Sequence, residues 1–289
     1  MPELPEIETI RLGLQRKIIG LKLRDIEILS PKTFQGQTDL LRGTKVLKVT
    51  RYAKVLAIEL TSNLTLLFHL KMTGQLIWVG KGEEGKGKRF VGGHPTLDMA
   101  GDLPNSSTRA VFTFSDGSKL YFNDQRRFGW IKVIENLKFK IENLLGHLGP
   151  EPLEKNFTWE VLKQNLLRHP SMPVKKALMD QSVVSGIGNI YANEACFDAK
   201  IDPRIKVKDL TDQDFESLHK GVTRSLQDGI KYGGATRAHF VDSDGHKGYF
   251  LDYAFVYGRD KHPCKICKTE IKKIQLGGRG TYFCERCQS

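Results

Sequence analysis

Ile7, Ile10, Leu14 and Ile18 recur at helical spacing near the start of the chain, so residues 5–19 are predicted to form an amphipathic helix. Pro5 takes the first helical position, where its missing N–H costs nothing, and Pro2 lies just outside. Between about 21 and 135 the period shortens to two. KLRDIEIL, TKVLKVTRY, KVLAIEL, LTLLFHL, QLIWV, AVFTF, KLYFN and GWIKVI each read as a strand, with turn signals such as SDG at 115–117 between them. Such a succession predicts a largely antiparallel sandwich or barrel.

Residues 80–108 interrupt that rhythm with Gly, Pro and polar residues, and are predicted to form a long loop. From about 150 to 232 the period is helical again, in TWEVLKQNLLR, VKKALMDQ and DQDFESLHKGVTRSLQDGIKY. The pattern divides the chain into an N-terminal domain (1–136), a linker (137–153), a helical domain (154–254) and a terminal module (255–289).

Charge changes the picture. The 289 residues hold 45 Lys and Arg against 33 Asp and Glu, a formal charge of +12. Nucleic acid is the partner that rewards such a surplus, because each cation placed on a phosphate releases condensed counterions. The most apolar run, Leu64 to Leu70, is far too short to span a bilayer, and the start of the chain lacks a signal-peptide pattern. The expectation is a cytoplasmic protein with no membrane association, acting as a monomer in a reducing compartment where cysteines do not serve as a disulfide framework.

Four cysteines have another use. Cys264 and Cys267 are separated from Cys284 and Cys287 by sixteen residues, the spacing of a four-thiolate zinc site on a hairpin. Four thiolates leave no open coordination position, so one structural zinc ion is expected. The module also carries eight Lys or Arg against three acids, with Arg279 at the hairpin tip, which suits a phosphate or groove reader. Cys196 stands alone in a helical stretch and reads as a core residue.

The opening MPELPEIETIR runs against the basic balance, with Glu3, Glu6 and Glu8 around Pro2 and Pro5. Proline after an initiator methionine normally permits removal of Met1. That leaves a secondary amine, a good nucleophile toward an aldehyde-like carbon, with a reference pKa of roughly 8. A helix N-terminus lowers that pKa, while neighbouring carboxylates raise it and are placed for proton transfer. Taken alone, the stretch also reads as an ordinary helix cap.

MPELPEIETIR, HLKMTGQL, NDQRRFGW, GIGNIYANEA and the terminal CxxC…GRGTYFCxxCQ, in this order over nearly the whole chain, resemble bacterial formamidopyrimidine-DNA glycosylase. The resemblance implies a multidomain α+β protein: an antiparallel β-sandwich with flanking helices, a helix–two-turn–helix domain and a zinc-binding β-hairpin. It implies a DNA glycosylase and lyase of base excision repair that acts on damaged double-stranded DNA, removes 8-oxoguanine and formamidopyrimidines, and cuts the strand by β- and δ-elimination. By position, Pro2 resembles the Schiff-base nucleophile, Glu3 the general acid/base, Glu6 the acid supporting the catalytic N-terminus, and Lys54 the lysine near the damaged nucleotide. His69, Lys175, Asn189 and Arg279 resemble phosphate contacts. Met72, Arg126 and Phe128 resemble the residues that fill the gap left by an everted nucleotide, although Met72 and Phe128 also suit a core.

Three places depart from the family pattern: the length of 80–108, Thr108-Arg109 where many relatives have Thr-His or Asp-His, and Arg237-Ala238-His239 within the damaged-base loop at 233–250. Two alternatives stay open. One is an endonuclease VIII-like glycosylase for oxidised pyrimidines, against which the PELPE start argues. The other is a catalytically silent zinc-hairpin DNA-binding protein, which would have no use for Pro2, Glu3, Glu6 and Lys54.

Overall fold

Helix α1 spans Leu4–Ile18 and turns Leu4, Ile7, Ile10, Leu14 and Ile18 inward. It begins one residue earlier than the periodicity predicts, with Glu3 as N-cap and Pro5 at the second helical position. The reason is local: the Glu6 carboxylate accepts the Glu3 backbone N–H at 2.7 Å, satisfying a donor at the helix start. The computed structural model describes residues 1–81, 89–94, 101–135, 145–235 and 250–288. Two compact units result, one N-terminal and one that begins at Leu145.

The N-terminal unit continues with strands β1 (Leu23–Ile28), β2 (Phe34–Gln35), β3 (Val46–Tyr52), β4 (Val55–Leu60), β5 (Leu64–His69), β6 (Gly74–Val79), β7 (Arg89–Gly93), β8 (Thr108–Phe114), β9 (Lys119–Asp124) and β10 (Trp130–Glu135). They form two five-stranded sheets, ordered β1-β8-β9-β6-β7 and β2-β10-β5-β4-β3. All the neighbours are antiparallel except β2 and β10, which run parallel. The core lies between the sheets, where Phe68 meets Phe112 and Phe122 edge-on at 5.6 and 6.2 Å. The expected sandwich is the observed one.

The expectation of a loop throughout 80–108 is corrected by β7, which pairs with β6 along its whole length. Its glycines serve packing. An added Cβ at Gly92 would lie 2.2 Å from Ile10 Cγ1, and one at Gly13 would lie 2.1 Å from the Phe90 ring, so both glycines let α1 sit directly on β7. Residues 82–88 and 95–100 of that stretch lie outside the described residues.

The second unit contains α2 (Trp159–Leu166), α3 (Val174–Leu178), α4 (Asn189–Asp198), α5 (Asp212–Lys231), the short α6 (Phe250–Tyr253) and the hairpin β11 (Lys272–Leu276) and β12 (Arg279–Phe283). Thr211 and Asp214 cap α5 reciprocally. Helices and hairpin fall in one compact unit. Two features join them. Phe197 and Val256 share a buried cluster with Cys264, Ile271 and Cys284. Glu194 of α4 accepts the successive N–H groups of Phe255, Val256 and Tyr257 at 2.7, 3.0 and 2.8 Å. Residues 137–144 of the expected linker and 236–249 of the expected damaged-base loop lie outside the described residues.

Gly92→Ala is expected to lower stability by about 1–3 kcal/mol, the usual cost of overpacking. The urea midpoint measures it, and an unchanged midpoint would contradict the close approach of α1 to β7.

Candidate active site and nucleic-acid interface

In the N-terminal unit, the beginning of α1 holds charge away from water. Pro2 is buried behind an exposed Met1, and Glu3 and Glu6 are only 3% and 6% exposed. Lys54, also 6% exposed, follows Ala53 in the β3–β4 hairpin, where Ala53 has a positive φ of 50°. Arg51 holds that hairpin. Its guanidinium donates to the Ala53 carbonyl at 3.0 Å and to Glu8 of α1 at 3.1 Å, and Glu8 also accepts from Arg11. Helix and hairpin are thereby tied by a half-buried charge network whose cations keep the Glu8 carboxyl below its ordinary pKa despite burial.

Burial pushes the Lys54 ammonium below its ordinary pKa, while the nearby Glu3 and Glu6 carboxylates oppose that shift and Lys71 reinforces it. His69 ends β5, and its pKa is driven down to about 3 by burial, with Lys71 and Lys54 adding repulsion. Its Nδ1 accepts the Lys71 backbone N–H at 3.0 Å, so the neutral ring carries its proton on Nε2. His69 is thus a neutral donor. The N-terminal ammonium also depresses the half-buried His94, after burial itself.

Met72 follows on the turn after His69 and is half-buried. Arg126 and Phe128 lie on the turn between β9 and β10, Phe128 being 54% exposed with the Arg126 guanidinium 4.9 Å from its ring centre. That exposure excludes Phe128 from the core. The Arg126 N–H donates to Thr73 Oγ1 at 3.1 Å, so the two turns are neighbours.

In the second unit, Asn189 is the first residue of α4, with Gly188 as N-cap. Its side chain does not cap the helix. Oδ1 accepts from Lys175 Nζ at 2.5 Å, and Nδ2 donates to the Gly280 carbonyl at 3.2 Å. Lys175 is fully buried on α3 and donates further to Thr281 Oγ1 and the Gly280 carbonyl. Lys175 and Asn189 therefore brace the hairpin strand that begins with Arg279. Arg279 itself is exposed beside the Gly277-Gly278 turn, whose φ values of 59° and 73° suit a tight two-residue hairpin.

The sulfurs of Cys264, Cys267, Cys284 and Cys287 all lie within 4.8 Å of one another. Two of the separations are 3.9 and 3.3 Å, close to the edge of about 3.8 Å that a tetrahedron with Zn–S bonds of about 2.3 Å requires. The donor set fits one structural zinc ion held without an open position. Cys196 is buried, as expected. No described helix is long and apolar enough to cross a membrane.

Sequence reasoning gave no role to Arg51, Lys71 or Glu194. Arg51, three residues before Lys54, and Lys71, two after His69, carry a local signal; Glu194 acts through contacts that folding creates.

The N-terminal unit thus gathers buried acids at the start of its first helix, and the second unit bears a basic four-cysteine hairpin. Family models match residues 1–131 as the formamidopyrimidine-DNA glycosylase N-terminal domain, 148–241 as its H2TH domain and 261–289 as a zinc finger found in FPG and IleRS. The formamidopyrimidine-DNA glycosylase of Hahella chejuensis is 40% identical, with complete coverage of both chains. That of Pelotomaculum thermopropionicum is 36% identical over 100% of this chain and 99% of its own. Among solved structures, wild-type Lactococcus lactis Fpg (MutM) in complex with a DNA containing N7-benzyl-Fapy-dG is similar with a TM-score of 0.84, 30% identity and full coverage of both chains. MutM (Fpg) of Thermus thermophilus is similar with a TM-score of 0.82 at 32% identity, covering 99% of this chain and 98% of that one. The chain belongs to the formamidopyrimidine-DNA glycosylase family.

Two outcomes follow from this geometry. His69 titrates at about 6.5 when unfolded and about 3 when folded, so across that window the unfolded chain binds the extra proton and stability falls with falling pH. His69→Gln should flatten that decline in urea titrations between about pH 7 and about pH 4; an unaltered slope would contradict a half-buried ring held neutral. Cys264→Ser should lose zinc and weaken DNA binding together, read by metal analysis and a binding titration. Full zinc content in the variant would contradict the four-thiolate site.

Proposed function

We propose that the chain excises oxidised purines, 8-oxoguanine and formamidopyrimidines, from double-stranded DNA and then cuts the strand at the resulting abasic site. The observation that carries this reading is the set of buried charges at the start of α1: Glu3, Glu6 and Lys54 are each at most 6% exposed. A protein that merely bound DNA would gain nothing from these desolvated groups, which a proton-transfer site needs. Lesion-bearing DNA in the similar Lactococcus complex supports the substrate class.

Removal of Met1 bares the Pro2 nitrogen, which attacks C1′ of the everted nucleotide. The C1′–N9 bond breaks, its electron pair leaves with the base, and a proton neutralises the departing purine. Glu3 serves proton transfer as the deoxyribose ring opens to the iminium form, while Glu6 orders the helix start through the Glu3 N–H. Loss of a C2′ proton then drives β-elimination of the 3′ phosphate, and δ-elimination of the 5′ phosphate follows. Lys54 places a cation beside the reacting nucleotide.

Neutral His69, Asn189 and Arg279 contact phosphates in this reading. Lys175 holds Asn189 and the hairpin strand, since its ammonium is enclosed by three acceptors. Exposed Phe128 and Arg126 and half-buried Met72 fill the gap left by eversion, a role suited to an apolar ring stacked under a cation. The enzyme acts as a monomer in the cytoplasm, where the chromosome lies.

Single-turnover rates on matched duplexes test this reading. 8-Oxoguanine should be excised faster than thymine glycol, and Glu3→Gln should slow excision by about a hundredfold or more while binding changes little. Preference for thymine glycol would instead assign the chain to the endonuclease VIII-like alternative.

A further inference from the structure

Met72 and the pair Arg126 and Phe128 come from turns more than fifty residues apart, on β5–β6 and β9–β10. Both turns contain a non-glycine residue in the left-handed region, Lys71 at φ 48° and Arg127 at φ 57°, a conformation that persists only where its surroundings enforce it. The Lys71 turn is closed by the Lys71 N–H on His69 Nδ1 and the Gly74 N–H on the Leu70 carbonyl, and one carboxylate bridges it to the other turn. Asp124, 1% exposed at the end of β9, accepts the Thr73 hydroxyl on Oδ1, and that oxygen also receives the Arg126 N–H at 3.3 Å. Oδ2 accepts the Gly129 N–H at 2.7 Å, closing the turn that carries Phe128. Asp124 is itself fixed through its backbone: its N–H donates to the Ser107 carbonyl at 2.8 Å, and its carbonyl accepts from Arg109 Nε at 2.8 Å. The buried Arg109 guanidinium thus braces this turn.

We propose that Asp124 is a positioning residue that couples the two gap-filling turns into one rigid body, so that Met72, Arg126 and Phe128 enter the duplex together. The proposal rests on the wedge reading above. Thr73 and Gly129 are the two ends of the coupling: the first belongs to the Met72 turn, and the second follows Phe128. Three donors converge on two carboxylate oxygens, and two of them are backbone N–H groups that cannot accept, so an amide at 124 turns its N–H₂ against at least one of these and loosens the turn that carries Phe128 without changing side-chain size.

The test uses the full-length enzyme with Asp124→Asn, Thr73→Val, Thr73→Ser, Phe128→Ala and the double variant of Asp124→Asn with Phe128→Ala. Single-turnover excision of 8-oxoguanine is compared with strand cleavage at a preformed abasic site, and 2-aminopurine fluorescence beside the lesion reports unstacking. Asp124→Asn and Thr73→Val should slow excision and unstacking by about ten- to a hundredfold, with abasic cleavage nearly unchanged, because misplacement acts on eversion and not on the Pro2 chemistry. Thr73→Ser, which keeps the hydroxyl, should restore the rate, and the double variant should be little slower than Phe128→Ala alone. Equal slowing on both substrates, or independent losses in the double variant, would overturn the coupling. Slow excision by Phe128→Ala with normal excision by Asp124→Asn and Thr73→Val would remove this proposal alone, whereas normal excision by Phe128→Ala would remove the wedge reading beneath it. Should Asp124→Asn fail to fold, the Thr73→Val and Thr73→Ser pair carries the test.

Discussion

Two carboxylates at the start of α1 and the Lys54 ammonium of the β3–β4 hairpin are held out of water, and this desolvation constrains the rest of the N-terminal unit. Buried charges are tolerated only when they face one another or find hydrogen bonds. Glu6 meets the Glu3 N–H, and Lys54 lies in the field of both acids, so each group depends on the placement of the others. Helix and hairpin must therefore keep a fixed register. Gly13 and Gly92 seat α1 on β7, and the Glu8–Arg51 pair ties α1 to the hairpin that presents Lys54. Packing and electrostatics serve the same few atoms.

The second unit solves a different problem, that of fixing a small hairpin too polar to fold on its own apolar contacts. Four thiolates placed to hold one zinc ion would close its base. Polar side chains fasten the rest: Asn193 accepts the Tyr282 N–H at 2.7 Å, Gln288 donates to the Ile201 carbonyl at 2.9 Å, and Lys175 and Asn189 reach Gly280 and Thr281. The exposed Arg279 thus stands on a rigid base while keeping its charge in solvent. Loss of zinc or of a single tie would act on that arginine indirectly.

Much of this was legible in the sequence where the signal is local. Alternation located most of the sandwich strands, cysteine spacing located the metal site, and the acidic opening pointed to Pro2, Glu3 and Glu6. β2 escaped because it is two residues long, and β7 because its glycines, which allow a helix to approach, look the same in sequence as those of a loop. The buried ties were illegible for another reason. Lys175 reads as a surface cation within a basic chain, yet it is fully buried because folding brings Thr281, more than a hundred residues away, to its ammonium. Asp124 likewise sits in a recognisable motif, but its bond to Thr73 exists only in three dimensions.

The central claim is that the buried charges of α1 serve an amine at Pro2 and not one at Lys54, the other nitrogen among the same carboxylates. Borohydride reduction during turnover on 8-oxoguanine DNA, followed by proteolysis and mass analysis of the adduct, separates the two directly. The account predicts a single DNA-linked peptide that begins at Pro2 and lacks Met1. Linkage at Lys54, or undiminished trapping by protein whose N-terminus is chemically blocked, would contradict it.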